Sequence, residues 1–260
     1  VRARVIDRRS RTETVAAAAA PMLCDHLDQR RGTMNYQFDF TFLSDYGSLL
    51  VAGTIATIRM SVIVTVTGFV VGTLCAIASI GRFRLLKALV AVYVEAIRNT
   101  PLLVQLFLVY FGLSSLGLRF SAETSALIGL TINVGAYSSE IIRAGLEAIH
   151  RGQLEAAETL GLSRLQTLAA VMLPPAFEKV YPSLVTQYVL LMLGTSITSQ
   201  ISAEELTGAA SRIQSMTFRS FEVYLVILFV YLVLSFGMRA LLKLFGLVLF
   251  PRRRRLGTNL

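Results

Sequence analysis

The chain is short of charge and shorter still of groups that carry out chemistry. Only 16% of its 260 residues are Asp, Glu, Lys or Arg, 54% are hydrophobic, and the mean hydropathy is +0.63. That leaves too little polar surface to wrap a globule in water. There are two cysteines, Cys24 and Cys75, far apart and with no CxxC, so neither a disulfide framework nor a thiolate metal site is indicated. Cys75 reads as a small apolar helix residue. The two histidines, His26 and His150, have no neighbours at ligand spacing and read as surface residues without partners. No G-x-x-x-x-G-K-[ST] phosphate loop occurs, so ATP cannot be held by that route. No nucleophile stands at motif spacing from a base. No catalytic residue, metal ligand or cofactor of its own is therefore assigned to the chain.

The excess of positive charge, +9, is largely terminal: seven of the 25 basic residues fall in 1–31, and four more form the run Arg252 to Arg255. In an apolar chain such clusters report membrane topology and not nucleic-acid binding. Residues 1–33 are basic and lack the apolar core of about 7–15 residues that a signal peptide needs. They read as a disordered or spurious extension ahead of Met34, with 34–48 as an external segment and 248–260 as a basic cytoplasmic tail.

What is present is a series of apolar runs, each near the roughly 20 residues that cross a bilayer as a helix. Five spans are expected, at about 49–80, 86–113, 123–144, 176–199 and 222–247, making an all-α membrane protein. In the first, Arg59 is expected to snorkel to an interface, and Gly68 and Gly72 form a small-xxx-small face suited to close helix contact. The second has a continuous apolar part of only 12 residues from Leu102. It is either an amphipathic cytoplasmic piece leading into a short span or one long helix with a buried polar cluster. We read it as the long helix, with Glu95 and Arg98 paired three residues apart. Glu140 and Arg143 repeat that spacing in the third span.

The loops after spans one and three and the carboxyl end carry more Arg and Lys than the opposite loops, which places them in the cytoplasm and the amino terminus outside. The cytoplasmic connection 145–175 is polar and helix-forming. Ala156, Ala157 and Leu160 are expected on one face, backed by Glu155 and Glu158, a shape that fits another protein's groove or, on periodicity alone, an amphipathic helix resting on the membrane.

Glu155-Ala156-Ala157, then Gly161, then Val171 to Pro174 resemble the EAA loop of binding-protein-dependent ABC importer permeases. The stretches Glu95–Leu113, Ala136–Gly161 and Thr217–Val226 are similar to the polar amino acid subgroup. The resemblance implies a type I ABC importer permease fold for 49–247, about five transmembrane helices with a cytoplasmic coupling helix. It implies coupling through Glu155, Ala156, Ala157, Gly161, Leu173 and Pro174. It also implies a location in the bacterial cytoplasmic (inner) membrane and four kinds of partner: a cytoplasmic ABC ATPase dimer that uses ATP and Mg, a second permease subunit, an external amino acid-binding protein, and membrane lipid. Glu95, Arg98, Gln105, Glu140, Arg143, Thr195 and Ser196 are expected to form a substrate path or structural ion pairs. Where the subgroup usually shows Lys-Asp-Thr-Ser, this chain has Leu193-Gly194-Thr195-Ser196, which favours a heterodimer whose other subunit supplies the charges, with a homodimer as the alternative. Other readings are the same permease class for an opine or cystine, a secondary transporter or channel, or a membrane scaffold.

Overall fold

The computed structural model describes residues 37–250. The expectations for 1–33, Cys24, His26 and Arg252 to Arg255 lie outside the described residues. The chain divides into two units, Val1–Asp39 and Phe40–Leu260. Of the first, only 37–39 are described, and they are not helical.

Among the described residues the second unit is helical throughout, without strands. Helix α1, Phe42–Ile80, begins inside the segment expected to be external. Its 39 residues extend about 58 Å. It is apolar all round, and its buried stripe is picked out by size: Gly53, Thr57, Ser61, Val64, Gly68, Gly72 and Ala76. From Gly68 onward that stripe meets α4, Ala122–Glu147, while Gly53 and Thr57 lie against the segment 205–209. The two run parallel, because their contacts advance together: Arg59 pairs with Glu123, the Thr67 and Thr131 hydroxyls are 2.8 Å apart, and Gly72 lies against Ser138. A Cβ on Gly72 would come within 2.6 Å of Ser138 Cβ, so the small-xxx-small face is a real seam, with α4 as its partner. Arg59, expected to snorkel, is held in that ion pair.

α4 returns through α6, a continuous helical stretch over Arg164–Ile201. Gly145 sits against Ala176 O and Val180, so the end of α4 meets the beginning of α6. Antiparallel to α6 lies α8, Ser220–Leu249, where the Tyr181 hydroxyl donates to Leu242 O at 2.5 Å and its ring covers Gly246. A helix not anticipated from the apolar pattern, α7 (Leu206–Thr217), packs across the start of α1. There Leu206 N–H donates to Thr57 Oγ1, and Glu205 caps α7 by accepting from the N–H groups of Thr207 and Gly208.

The expected second span is two helices. From α2, Arg84–Arg98, to α3, Leu102–Ser115, the chain bends by 111° across Asn99-Thr100-Pro101. Pro101 has no N–H to continue a ladder and drives Thr100 out of the α region. Gln105 then closes the break: its Nε2 donates to Ile97 O at 2.7 Å and Thr100 O at 3.0 Å, carbonyls that lost their helical donors. The reading as one long helix is therefore corrected in favour of an amphipathic piece followed by a short apolar one. The expected Glu95–Arg98 pair is absent, because Arg98 turns instead toward Glu140 at 3.9 Å and Glu95 stays exposed.

Three described helices, α1, α6 and α8, are long and apolar enough to cross a membrane, and α2 with α3 makes a fourth when counted as one broken span. α4 is long enough, about 39 Å for its 26 residues, but less apolar, because other helices enclose it. Counted with it and with that broken span, the described path traverses the bundle five times.

Candidate functional site

Two places gather the residues of interest. The first is the short helix α5, Arg151–Thr159, at the end of the bundle where α1, α4 and α8 finish. His150, expected to lack a partner, is its N-cap: Nδ1 accepts from Gly152 N–H at 3.1 Å. At the other end Gly161 takes φ +70°. Its N–H donates to Glu158 O and that of Leu162 to Ala157 O, the paired bonds of a Schellman turn. A side chain at 161 would be strained in that left-handed backbone. The expected common face is split. Ala157 is 2% exposed and turned into the body, whereas Ala156 and Leu160, four residues apart, face outward with Glu155 and Glu158, Leu160 at 78%. The outward side thus presents an exposed leucine framed by carboxylates on a helix closed at both ends.

Leu173 and Pro174, expected in the same set, lie further on in α6. That helix opens with a capping box between Ser163 and Gln166 and then widens to a π-helix over Thr167–Met172. The prolines account for the widening. Pro174 and Pro175 cannot donate to Ala170 and Val171, and the last N–H before them, on Leu173, reaches Leu168 O, five residues back.

The second place is a cavity of ≈ 380 Å³ beside the α2–α3 break, walled by Thr100, Leu102, Asn133, Tyr137, Gln187 and Gly194. Gln105 is 6% exposed and does not line it; its Oε1 accepts from Asn133 Nδ2 at 2.8 Å, which ties the break to the middle of α4. Below Tyr137 the charges form a ladder. The Arg98 guanidinium lies over the Tyr137 ring at 5.7 Å and reaches Glu140, which Arg143 grips with Nε at 3.0 Å and Nη2 at 2.5 Å; Arg143 Nη1 goes on to Glu147 at 2.6 Å. The expected Glu140–Arg143 pair is thus formed, as part of a longer chain of charges. Thr195 and Ser196 are engaged elsewhere: their hydroxyls donate to Met192 O and Leu193 O, in the turn where α6 tightens to a 3₁₀-helix. Sequence reasoning missed Asn133, Tyr137 and Gln187, although Asn133 and Gln187 are polar residues inside apolar runs, which was a usable signal. Among the described residues no three His, Cys, Asp or Glu side chains gather as a metal ion would require.

Residues 68–247 match the family model described as binding-protein-dependent transport system inner membrane component. The chain is 34% identical over 227 residues to the octopine transport system permease protein OccM of Rhizobium meliloti, covering 84% of this chain and 93% of that one. It is 36% identical over 195 residues to GlnM of Bacillus subtilis (strain 168), a permease protein named for glutamine, with 75% and 90% covered. Among solved structures it resembles an amino acid ABC transporter crystallised with histidines, at 35% identity and a TM-score of 0.74 over 81% of this chain and 99% of that one.

Proposed function

Because the chain belongs to the family of binding-protein-dependent transport system inner membrane components, we propose that it is the membrane subunit through which a bacterial importer moves polar amino acids or close derivatives. In this reading α5 seats in a cleft of a separate ATPase, which binds ATP and Mg, and the chain itself catalyses nothing. Closure of the ATPase pair pushes α5, and through α6 the bundle, from inward-open to outward-open. α5 and the carboxyl end face the cytoplasm, and the amino terminus faces outside, where an external binding protein delivers the solute. The solute then passes the cavity beside the α2–α3 break. Leu193 and Gly194, standing where the subgroup has charges, favour a non-identical second permease subunit. The observation that carries the reading is α5 itself: the Glu155-Ala156-Ala157 to Gly161 spacing, built as a capped, outward-facing helix ending at φ +70°.

The test is copurification of the ATPase on a tag carried by this chain, for native protein, Glu155→Lys and Leu160→Asp. Release of the ATPase by both changes is the expected result, and equal retention overturns the coupling role. Uptake of labelled amino acids into proteoliposomes containing the full complex then tests the cargo. A second reading, transport of an opine, is favoured by the likeness to OccM and predicts uptake of octopine in the same assay.

A further inference from the structure

We infer that the cavity beside the α2–α3 break selects amino acids whose side chain is uncharged and hydrogen-bonding, and that Gln187 is the residue that reads it. This rests on the amino acid reading above and adds to it the class of side chain accepted.

A volume of ≈ 380 Å³ is that of a pocket for one small molecule. Its polar lining, Thr100, Asn133, Tyr137 and Gln187, is entirely neutral. Two of the four are already engaged. The Thr100 hydroxyl donates to Ala96 O and accepts from Gln105, and the Asn133 amide nitrogen donates to Gln105. The Gln187 carboxamide and the Tyr137 hydroxyl have no hydrogen-bond partner among the described residues. A carboxamide offers two donors and an acceptor, so it matches another carboxamide or a hydroxyl on the solute.

Charge is kept out of the lining. Arg98 does not wall the cavity: its guanidinium lies over the Tyr137 ring and 3.9 Å from Glu140, which Arg143 also holds. A guanidinium or carboxylate side chain entering the cavity would lose water and find no counter-ion, a large penalty in a membrane interior. The α-ammonium and α-carboxylate are common to every amino acid and do not discriminate. The wall also has room for a charge that it lacks. Gly194 has φ −65°, and a Cβ there would meet only Leu102 Cδ2, at 3.6 Å. An aspartate at 194 is therefore sterically permitted and would supply an anion to the cavity.

The experiment is equilibrium binding of labelled glutamine, glutamate and arginine to the purified permease–ATPase complex in nanodiscs, with no external binding protein. Native complex is expected to bind glutamine at least tenfold tighter than glutamate or arginine. Gln187→Leu should weaken glutamine about tenfold, as the loss of one enclosed hydrogen bond does. Gly194→Asp should make arginine the preferred ligand, and where that variant does not assemble, Gln187→Glu makes the same prediction. No binding of glutamine, equal binding of all three, or an unchanged preference in the variants overturns the inference. Proteoliposome uptake keeps the two readings separate: amino acid uptake without cavity binding overturns the selectivity alone, and no amino acid uptake overturns the transport reading beneath it.

Discussion

Helices α4 and α8 occupy the same bundle and are built on opposite principles. Among the described helices α8 is the most apolar and is almost unburied within the chain. α4 is walled in by α1, α2, α3 and α6. It buries Ser125, Gly129, Gly135, Ser138, Ser139 and Gly145 and carries Asn133, Glu140 and Arg143. Hydropathy thus measures contact with lipid and not depth in the membrane. A helix facing hydrocarbon has no one to satisfy polar groups and excludes them, whereas an enclosed helix uses small residues for approach and polar residues for contacts.

Substitutions that exchange the two principles test this contrast. The largest effect is expected at the α1–α4 seam: Gly72→Leu forces atoms into Ser138 and the Ser139 backbone and should cost roughly 3 kcal/mol or more, read as loss of monodisperse protein in size-exclusion thermal melts. Close behind is Val233→Arg on the outward face of α8, expected to impair insertion by about 3 kcal/mol, measured by glycosylation mapping of the inserted fraction. The same assay on Val66→Ser, outward on α1, should barely respond. Next is Glu140→Gln, which removes the carboxylate shared by Arg98 and Arg143. With these groups about a third exposed, the expected loss is near 1 kcal/mol, seen as a lower melting temperature that high salt narrows. The smallest effect belongs to Gly237→Val on α8, where a Cβ meets nothing within 4 Å, with a change within about 0.5 kcal/mol. An equal penalty at Gly72 and Gly237 would break the contrast.

The same distinction explains what could be read from the chain. Apolar runs gave α1, α6 and α8 directly, and small-residue spacing gave the α1–α4 seam. The Glu155 to Pro174 spacing located α5, and Gly161 located its stop. Three things were not readable in that way. α7 is short and only partly apolar, so its helicity comes from the Glu205 cap and from packing on α1. The α2–α3 break looked continuous because Pro101 marks a stop without giving its angle, which Gln105 and Asn133 set from eight and 36 residues beyond Ile97. The face of α5 was misjudged at Ala157 because periodicity fixes which residues lie together and not which side the body covers. At the cavity the charged residues stand out in the sequence pattern, whereas the free groups on its wall are neutral.

The closure of that break by Gln105 has an electrical consequence. A carboxamide carries no net charge and does not titrate, so the hydrogen bonds that hold α2 across the foot of the bundle feel neither proton concentration nor the membrane potential, which acts on charge at about 2.3 kcal/mol per elementary charge per 100 mV. The Arg98–Glu140–Arg143–Glu147 ladder beside it is made instead of full charges, two of each sign, on which that potential acts one by one. In an energised membrane the bend is accordingly held by contacts that offer the field no net charge to act on.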